Sequence, residues 1–265
     1  MNRPSSLAGA AAAALAAGAL SLGAAGAGAA TLPPELQALQ QKAETLKLTS
    51  ERFVLNFLVK APSGKETTLL GEGVAAVSPT RAQITESAGG KRVSIRVVGH
   101  SVYVNYQGLA RVDGGRPWVR VPDKQLSEES GVDLTSGPQS AAQAYTQLDS
   151  AAESIKDVGP ASIEGQATTE FTATINLQAL LSKFGAKLVA KLKKAGVTSA
   201  ALTEYIAADG LPVRSIATIG VEGGTISVTD TVAAINVPVS VRAPAASRTI
   251  SYAQFKRLAK KLNGA

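Results

Sequence analysis

The spacing of apolar residues changes period several times along the chain. Behind Thr31-Leu32-Pro33-Pro34, the residues Leu36, Leu39, Ala43 and Leu46 recur at helical spacing, so Pro34 to Leu46 predicts an amphipathic helix. Proline suits such a start because the N–H it lacks would be unpaired in a first turn. After Thr49 the period falls to two: Phe53, Leu55, Phe57 and Val59 alternate with Val54, Asn56, Leu58 and Lys60. Further strand-like runs cover Thr67 to Val77, Thr80 to Glu86, Lys91 to Val98, Ser101 to Tyr106 and Trp118 to Val121. Pro62-Ser63-Gly64-Lys65, Gly89-Gly90, Gly99-His100 and Asp113-Gly114-Gly115 read as the tight turns between them.

The middle of the chain reads differently. Pro122 to Gly137 is polar and predicts a loop with a short helix. Ser140 to Ser154 carries Ala141, Ala144, Tyr145 and Leu148 at helical spacing. Strands resume at Ile155 to Val158, Ser162 to Glu164 and Ala167 to Ile175. The strongest helical pattern follows at Leu177 to Ala195, apolar on one face, with Lys183, Lys187, Lys191 and Lys194 on the rest. Ala200 to Ala207, Val213 to Ile219 and Thr225 to Val232 are strands again, and Ile250 to Leu262 is a last basic amphipathic helix. Strands and helices do not alternate one to one, which argues against a parallel doubly wound sheet. The pattern predicts an α+β chain: one large antiparallel sheet of about 10–11 strands with helices packed on it.

Met1 to Ala30 stands apart. Arg3 precedes a run of Ala, Leu, Gly and Ser, and the segment closes in small residues. This is the pattern of a cleaved secretory signal peptide. The run is too weakly apolar for the roughly 20 residues a membrane span needs. The expected product is exported, with residues 31–265 forming a single domain.

Composition narrows the chemistry. The 265 residues include no Cys, one His and a net charge of +7. Thiol catalysis, disulfides and multi-histidine metal sites are excluded. His100 is the sole imidazole available as a base, and its place between Gly99 and Ser101 favours a turn residue. Asp123, Glu128, Glu129 and Asp133 cluster without cation-ligand spacing, as expected for a solvated loop. No phosphate-binding glycine motif is present. We expect no cofactor, no bound metal, no nucleic-acid partner and no enzymatic activity, and a monomer. The four lysines of the Leu177 to Ala195 helix, with Lys256, Arg257, Lys260 and Lys261, offer a basic surface. The alternative this offers is a structural or regulatory envelope module whose basic helices bind an anionic membrane, a cell-wall polymer or a membrane protein; the plainer reading is a solvated face.

Several strands are apolar on both faces, Phe53 to Leu58 and Val93 to Val98 among them. Such strands need two coverings. Helices can supply one; a second protein layer or an apolar ligand must supply the other. From alternation we take Phe53, Leu55, Phe57, Val93, Ile95, Val97, Val102, Val104, Trp118, Tyr145, Ile216 and Val228 as candidate lining residues of an apolar site.

The order of motifs carries a resemblance. Val97-Val98-Gly99-His100-Ser101-Val102-Tyr103-Val104 is followed by Gly114-Gly115-Arg116-Pro117-Trp118-Val119-Arg120-Val121. Then come Val158-Gly159, Gly165, Thr168-Thr169-Glu170-Phe171-Thr172-Ala173-Thr174-Ile175 and the turn Asp209-Gly210-Leu211-Pro212-Val213-Arg214. This succession, over roughly Leu48 to Val239, resembles LppX/LprG-type envelope lipoproteins, themselves similar to the LolA/LolB carriers. The resemblance implies a strongly curved antiparallel half-barrel that holds acyl chains in its concavity, hence a lipid carrier or sensor of the cell envelope. Two positions depart from the pattern. The lipobox Cys is missing, which implies a protein without a lipid anchor, and Glu170 stands where the family often has His.

Overall fold

The computed structural model describes residues 32–76, 80–88, 91–105, 109–122, 152–176 and 199–263, with Gln125, Tyr145, Leu148, Ala190, Lys193, Gly196 and Val197. Helix α1 is Pro34–Ala43. A meander follows: β1 (Ser50–Lys60), β2 (Glu66–Ala76), β3 (Arg81–Ala88), β4 (Lys91–Val98), β5 (Ser101–Asn105), the single turn α2 (Leu109–Val112) and β6 (Trp118–Pro122). A second meander comprises β7 (Ala152–Ile163), β8 (Gln166–Ile175), β9 (Ser199–Ala207), β10 (Pro212–Val221) and β11 (Gly224–Ile235). The chain closes with β12 (Thr249–Ser251) and helix α3 (Tyr252–Asn263).

All twelve strands form one open, curled sheet in the order β12-β6-β5-β4-β3-β2-β1-β11-β10-β9-β8-β7. Each meander pairs strand to strand, and the two are joined by the antiparallel pair β1–β11. The one parallel pair is β12 on β6.

Opposed residues in a ladder share a face, so the register defines two surfaces. The inner one carries three apolar clusters. The first packs Leu36, Leu39 and Ala43 of α1, with Tyr145 and Leu148, on Phe171, Ala173, Ile175, Ala200 and Ile206. The second spans β1 to β5 through Phe53, Leu55, Phe57, Ala75, Ile84, Ile95, Val97 and Val102. In the third, Tyr252, Phe255 and Leu258 of α3 lie on Val119, Val121 and Ile250. The two helices thus cover the two ends of the same face.

The outer face is crossed by the segment between β11 and β12. Asn236 turns the chain at positive φ and its Oδ1 accepts hydrogen bonds from Thr49 N and Oγ1, both at 2.9 Å. Ser50 Oγ donates to Val237 O, and Arg96 Nη1 donates to Arg242 O at 3.2 Å. The connection therefore runs from the centre of the sheet to its β6 edge.

Four expectations need correction. The sheet has twelve strands, because β12 is too short to show any alternation and its Ile250 and Ser251 continue into the pattern of the last helix. The runs Ile155 to Val158 and Ser162 to Glu164 are one strand, β7, with a register shift between Asp157 and Gly159. Gly159-Pro160 looks like a break in sequence, but β7 is an edge strand, where a missing N–H leaves no ladder partner unmet. Asp113-Gly114-Gly115 ends α2 instead of joining two strands, with Gly115 N donating to Ala110 O at 2.8 Å. Of the helix expected over Ser140 to Ser154, Tyr145 and Leu148 are helical, and Ala152 onward belongs to β7. Met1 to Ala30, the loop acids Asp123, Glu128, Glu129 and Asp133, and Lys183, Lys187, Lys191 and Lys194 lie outside the described residues.

The β9–β10 turn anchors α1. Gly210 has φ 88°, and a Cβ there would meet Ala43 N at 2.7 Å and the Leu39 carbonyl. Gly165 has a similar φ, 87°, with nothing within 4 Å. Gly210→Ala should therefore cost backbone strain plus displacement of α1, about 2–4 kcal/mol. Gly165→Ala should cost strain alone, about 1 kcal/mol. Urea unfolding of the two variants checks this; equal losses would mean that α1 does not bear on the turn.

Candidate functional site

Every inner-face position can be placed from the ladders. Of the twelve residues that alternation singles out, Phe53, Leu55, Phe57, Val93, Ile95, Val97, Val102, Val104 and Val228 fall together in the second cluster. Tyr145 is buried in the first, beneath α1, and its hydroxyl donates to Gly210 O at 2.9 Å. Trp118 and Ile216 do not join them. Trp118 pairs with Asn105 and Thr249, and Ile216 pairs with Thr229 and Thr203, all outer-face positions. Trp118 is only 7 % exposed because the Arg96 guanidinium stacks over its ring at 4.8 Å on that outer side. The reason is local. In a strand apolar on both sides, alternation defines two sets of residues without saying which set faces in.

The inner surface has room close to the backbone on β2. Gly73 lies under the Phe53 ring, where a Cβ would clash with the ring and with Gln83 O at 2.9 Å. A Cβ on Gly71 would touch Leu55 Cβ and Glu86 Cγ, each at 3.4 Å. Glycine opposite an aromatic lets the ring lie flat on the strand.

One transverse rung of this face is unlike the others. Glu86, Gly71, Leu55, Asp230, Ser215, Glu204, Phe171 and Asp157 follow one another across eight strands from β3 to β7. Four of the eight are acids. Glu86 is 3 % exposed, and its Oε1 is buried without a hydrogen-bond partner. Asp230 Oδ1 is buried and unpartnered as well. Glu204 Oε2 accepts a 2.6 Å hydrogen bond from Ser215 Oγ. Glu51 is on the same side, paired with Ala75. Sequence reasoning missed these acids, although each sits at the parity of its apolar neighbours: Glu86 with Ile84, Asp230 with Val228, Glu204 with Leu202.

Burial governs their protonation. Loss of water raises the Glu86 and Glu51 carboxyls from 4.5 to about 7. Asp230 rises to about 7, through burial first and then the nearby Glu51 charge. Glu204 rises to about 8 through burial, against the lowering effect of the Ser215 hydrogen bond. The Tyr145 hydroxyl is pushed up by burial and by the Glu204 and Asp209 charges.

The two faces are also sorted by charge. Arg52, Lys60, Arg81, Arg92, Arg96, Arg120, Lys156 and Arg214 all occupy outer-face positions in the ladders. Among the strand residues of the inner face whose side chains are described, none is a cation. Among the described residues no group of His, Asp and Glu is placed to hold a metal ion, and no helix is long and apolar enough to cross a membrane. His100 is at the exposed β4–β5 turn.

With this geometry in view, comparison with known proteins is informative about the fold. No protein-family model matches the chain, and no curated protein matches it by sequence. Solved structures do. LprF from Mycobacterium bovis superposes with a TM-score of 0.51 at 18% identity, covering 81% of this chain and 98% of that one. Lipoprotein LppX from Mycobacterium tuberculosis gives 0.48 at 22% identity, covering 78% and 96%. A LolA superfamily protein from Nitrosomonas europaea gives 0.34 at 10% identity, covering 78% and 94%. The chain shares with LprF the fold of an open curled sheet with helices against its inner face.

The buried acids set a pH dependence. Their folded values lie above the unfolded ones, so between about pH 4 and 8 the unfolded chain releases protons that the folded chain keeps. Stability is then highest at the acid end of this window and falls as pH rises through it. Glu86→Gln should lose about 2 kcal/mol less than the parent chain between about pH 5 and pH 8 in denaturant titrations. Parallel curves would mean that Glu86 is ionised in the folded protein at both ends.

Proposed function

We propose that this protein is a non-enzymatic carrier or sensor that holds an acyl chain, or another hydrophobic ligand, against the inner face of its sheet. The observation that carries the reading is the continuity of that face. Apolar side chains run from Ile250 at one edge to Ile155 near the other, and helices cover the ends. Strands β10 and β11 remain half-buried along most of their length, which leaves their inner residues Ala217 and Val228 partly accessible. A surface of this kind binds by burial alone, at about 0.8 kcal/mol per CH₂, so a few acyl segments suffice for tight binding. The LppX/LolA-like fold supports the same reading. So does the leader-like Met1 to Ala30, which suits a single-domain protein exported to the cell envelope, with its signal removed and no lipid anchor.

Organic extracts of the purified protein should contain a stoichiometric acyl compound by mass spectrometry. The emptied protein should bind a fluorescent neutral acylglycerol. Ala217→Trp places a large ring between Val228 and Leu202 on the inner face, and should weaken that binding about tenfold with little change in melting temperature. An extract without lipid, together with a protein indifferent to the probe, would rule the carrier reading out.

A further inference from the structure

The outer face of the sheet divides into two halves that differ in charge. On β1, β2 and β7 to β11, acids accompany the cations. Lys60 meets Glu66 at 3.6 Å, Arg214 meets Glu164 at 2.8 Å, and Glu72 and Glu170 hold outer positions of their own. On β3 to β6 and β12 no outer position is an acid, and Arg81, Arg92, Arg96 and Arg120 all stand there. The crossing segment adds Arg242 and Arg248, both exposed, and the Arg242 carbonyl accepts from Arg96. Two of these six serve the fold. Arg96 donates to Gln83 and stacks on Trp118, and Arg120 donates to Ser101. Arg81, Arg92, Arg242 and Arg248 meet no carboxylate among the described residues. Like charges gathered on one surface repel one another, so the cluster gives the folded chain nothing by itself.

We propose that this half of the outer face docks a linear phosphodiester polymer. It does so whether or not a ligand occupies the inner face. Three features select that partner. First, the cations are spread. On a flat sheet Arg81 and Arg96 are about 8 Å apart, Arg96 and Arg120 about 10 Å, and Arg92 and Arg96 about 13 Å. A chain with a charge on every unit can meet them in turn, whereas a single small anion meets one. Second, the surface is the convex side of the curl, and among the described residues its strands carry no exposed large apolar side chain. Val54, Leu70 and Val158, which are exposed, belong to β1, β2 and β7. A bilayer would touch such a surface over a small area and receive no apolar anchor from it; a flexible chain can follow the curve. Third, the six cations are all arginines. The guanidinium is more weakly hydrated than an ammonium and forks onto phosphate oxygens. A phosphodiester is a weaker base than a carboxylate, so its oxygens release water to such a cation more readily.

A labelled synthetic poly(glycerol phosphate), titrated with the purified protein and followed by fluorescence anisotropy, tests the assignment. We expect binding that weakens at least about tenfold between about 50 mM and about 200 mM salt. Arg92 and Arg242 are exposed, so the fold tolerates their replacement. Arg92→Gln combined with Arg242→Gln should weaken binding about tenfold. Lys60→Gln combined with Lys156→Gln removes the same charge from the other half of the outer face, and should change it by less than about twofold. Equal losses in the two pairs would overturn the proposal, because net charge alone would then account for the binding. So would salt-indifferent binding, or no binding at all. Polygalacturonate of matched length binding as tightly would overturn the phosphate assignment, and phosphatidylglycerol vesicles binding more tightly than the polymer would replace it with a membrane.

Discussion

A β-ladder puts opposed residues on the same side, and over twelve strands this constraint sorts the chain's side chains into two populations. Because β1 pairs with β11, the register of the first meander is carried into the second from Phe53 to Lys60, past a shift between Arg52 and Phe53. Phe57, Val228, Ala217, Leu202 and Ala173 are neighbours only through that chain of pairings. The helices follow from it. α1 and α3 are short and amphipathic, and helices of this length gain most of their stability from what they pack against. Both pack on the apolar side.

The sorting extends to charge. Arginines stand outside, where Arg96 stacks on Trp118 and Arg214 bonds Thr231 and Glu164. The carboxyls of Glu51, Glu86, Asp230 and Glu204 stand inside, where desolvation raises them to about 7 or 8. A fold selected for stability alone gains little from Glu86 beneath Gly71, since an apolar side chain of similar volume would serve as well.

Much of this was legible in the primary structure, and the limits have physical causes. The period-two runs located eleven of the strands to within a few residues, with one of those strands read as two pieces, and the motif order implied the curled half-barrel that is observed. The faces were less accessible. Val93 to Val98 and Val213 to Ile219 offer apolar residues at both parities, so nothing local separates Ile216 from Ala217, or Trp118 from Val119. Pairing partners from far along the chain make that choice. The acid rung was hidden for the same reason. Glu86, Asp230 and Glu204 are isolated in sequence and become one row only when β3, β11 and β9 take their places.

The crossing from Asn236 to Arg248 has a consequence for how the protein is made. It delivers β12 to the edge formed by β6, a strand of the first meander, and seats α3 on Val119 and Val121. The β6 edge thus precedes by well over a hundred residues the described elements that cover it. β1 likewise waits for β11. Contacts of such long sequence separation make for slow folding, and an open strand edge is a template for wrong pairing. By pairing with β6, the three-residue β12 takes the place of a five-residue strand at that border of the sheet, and a shorter edge offers less of a template.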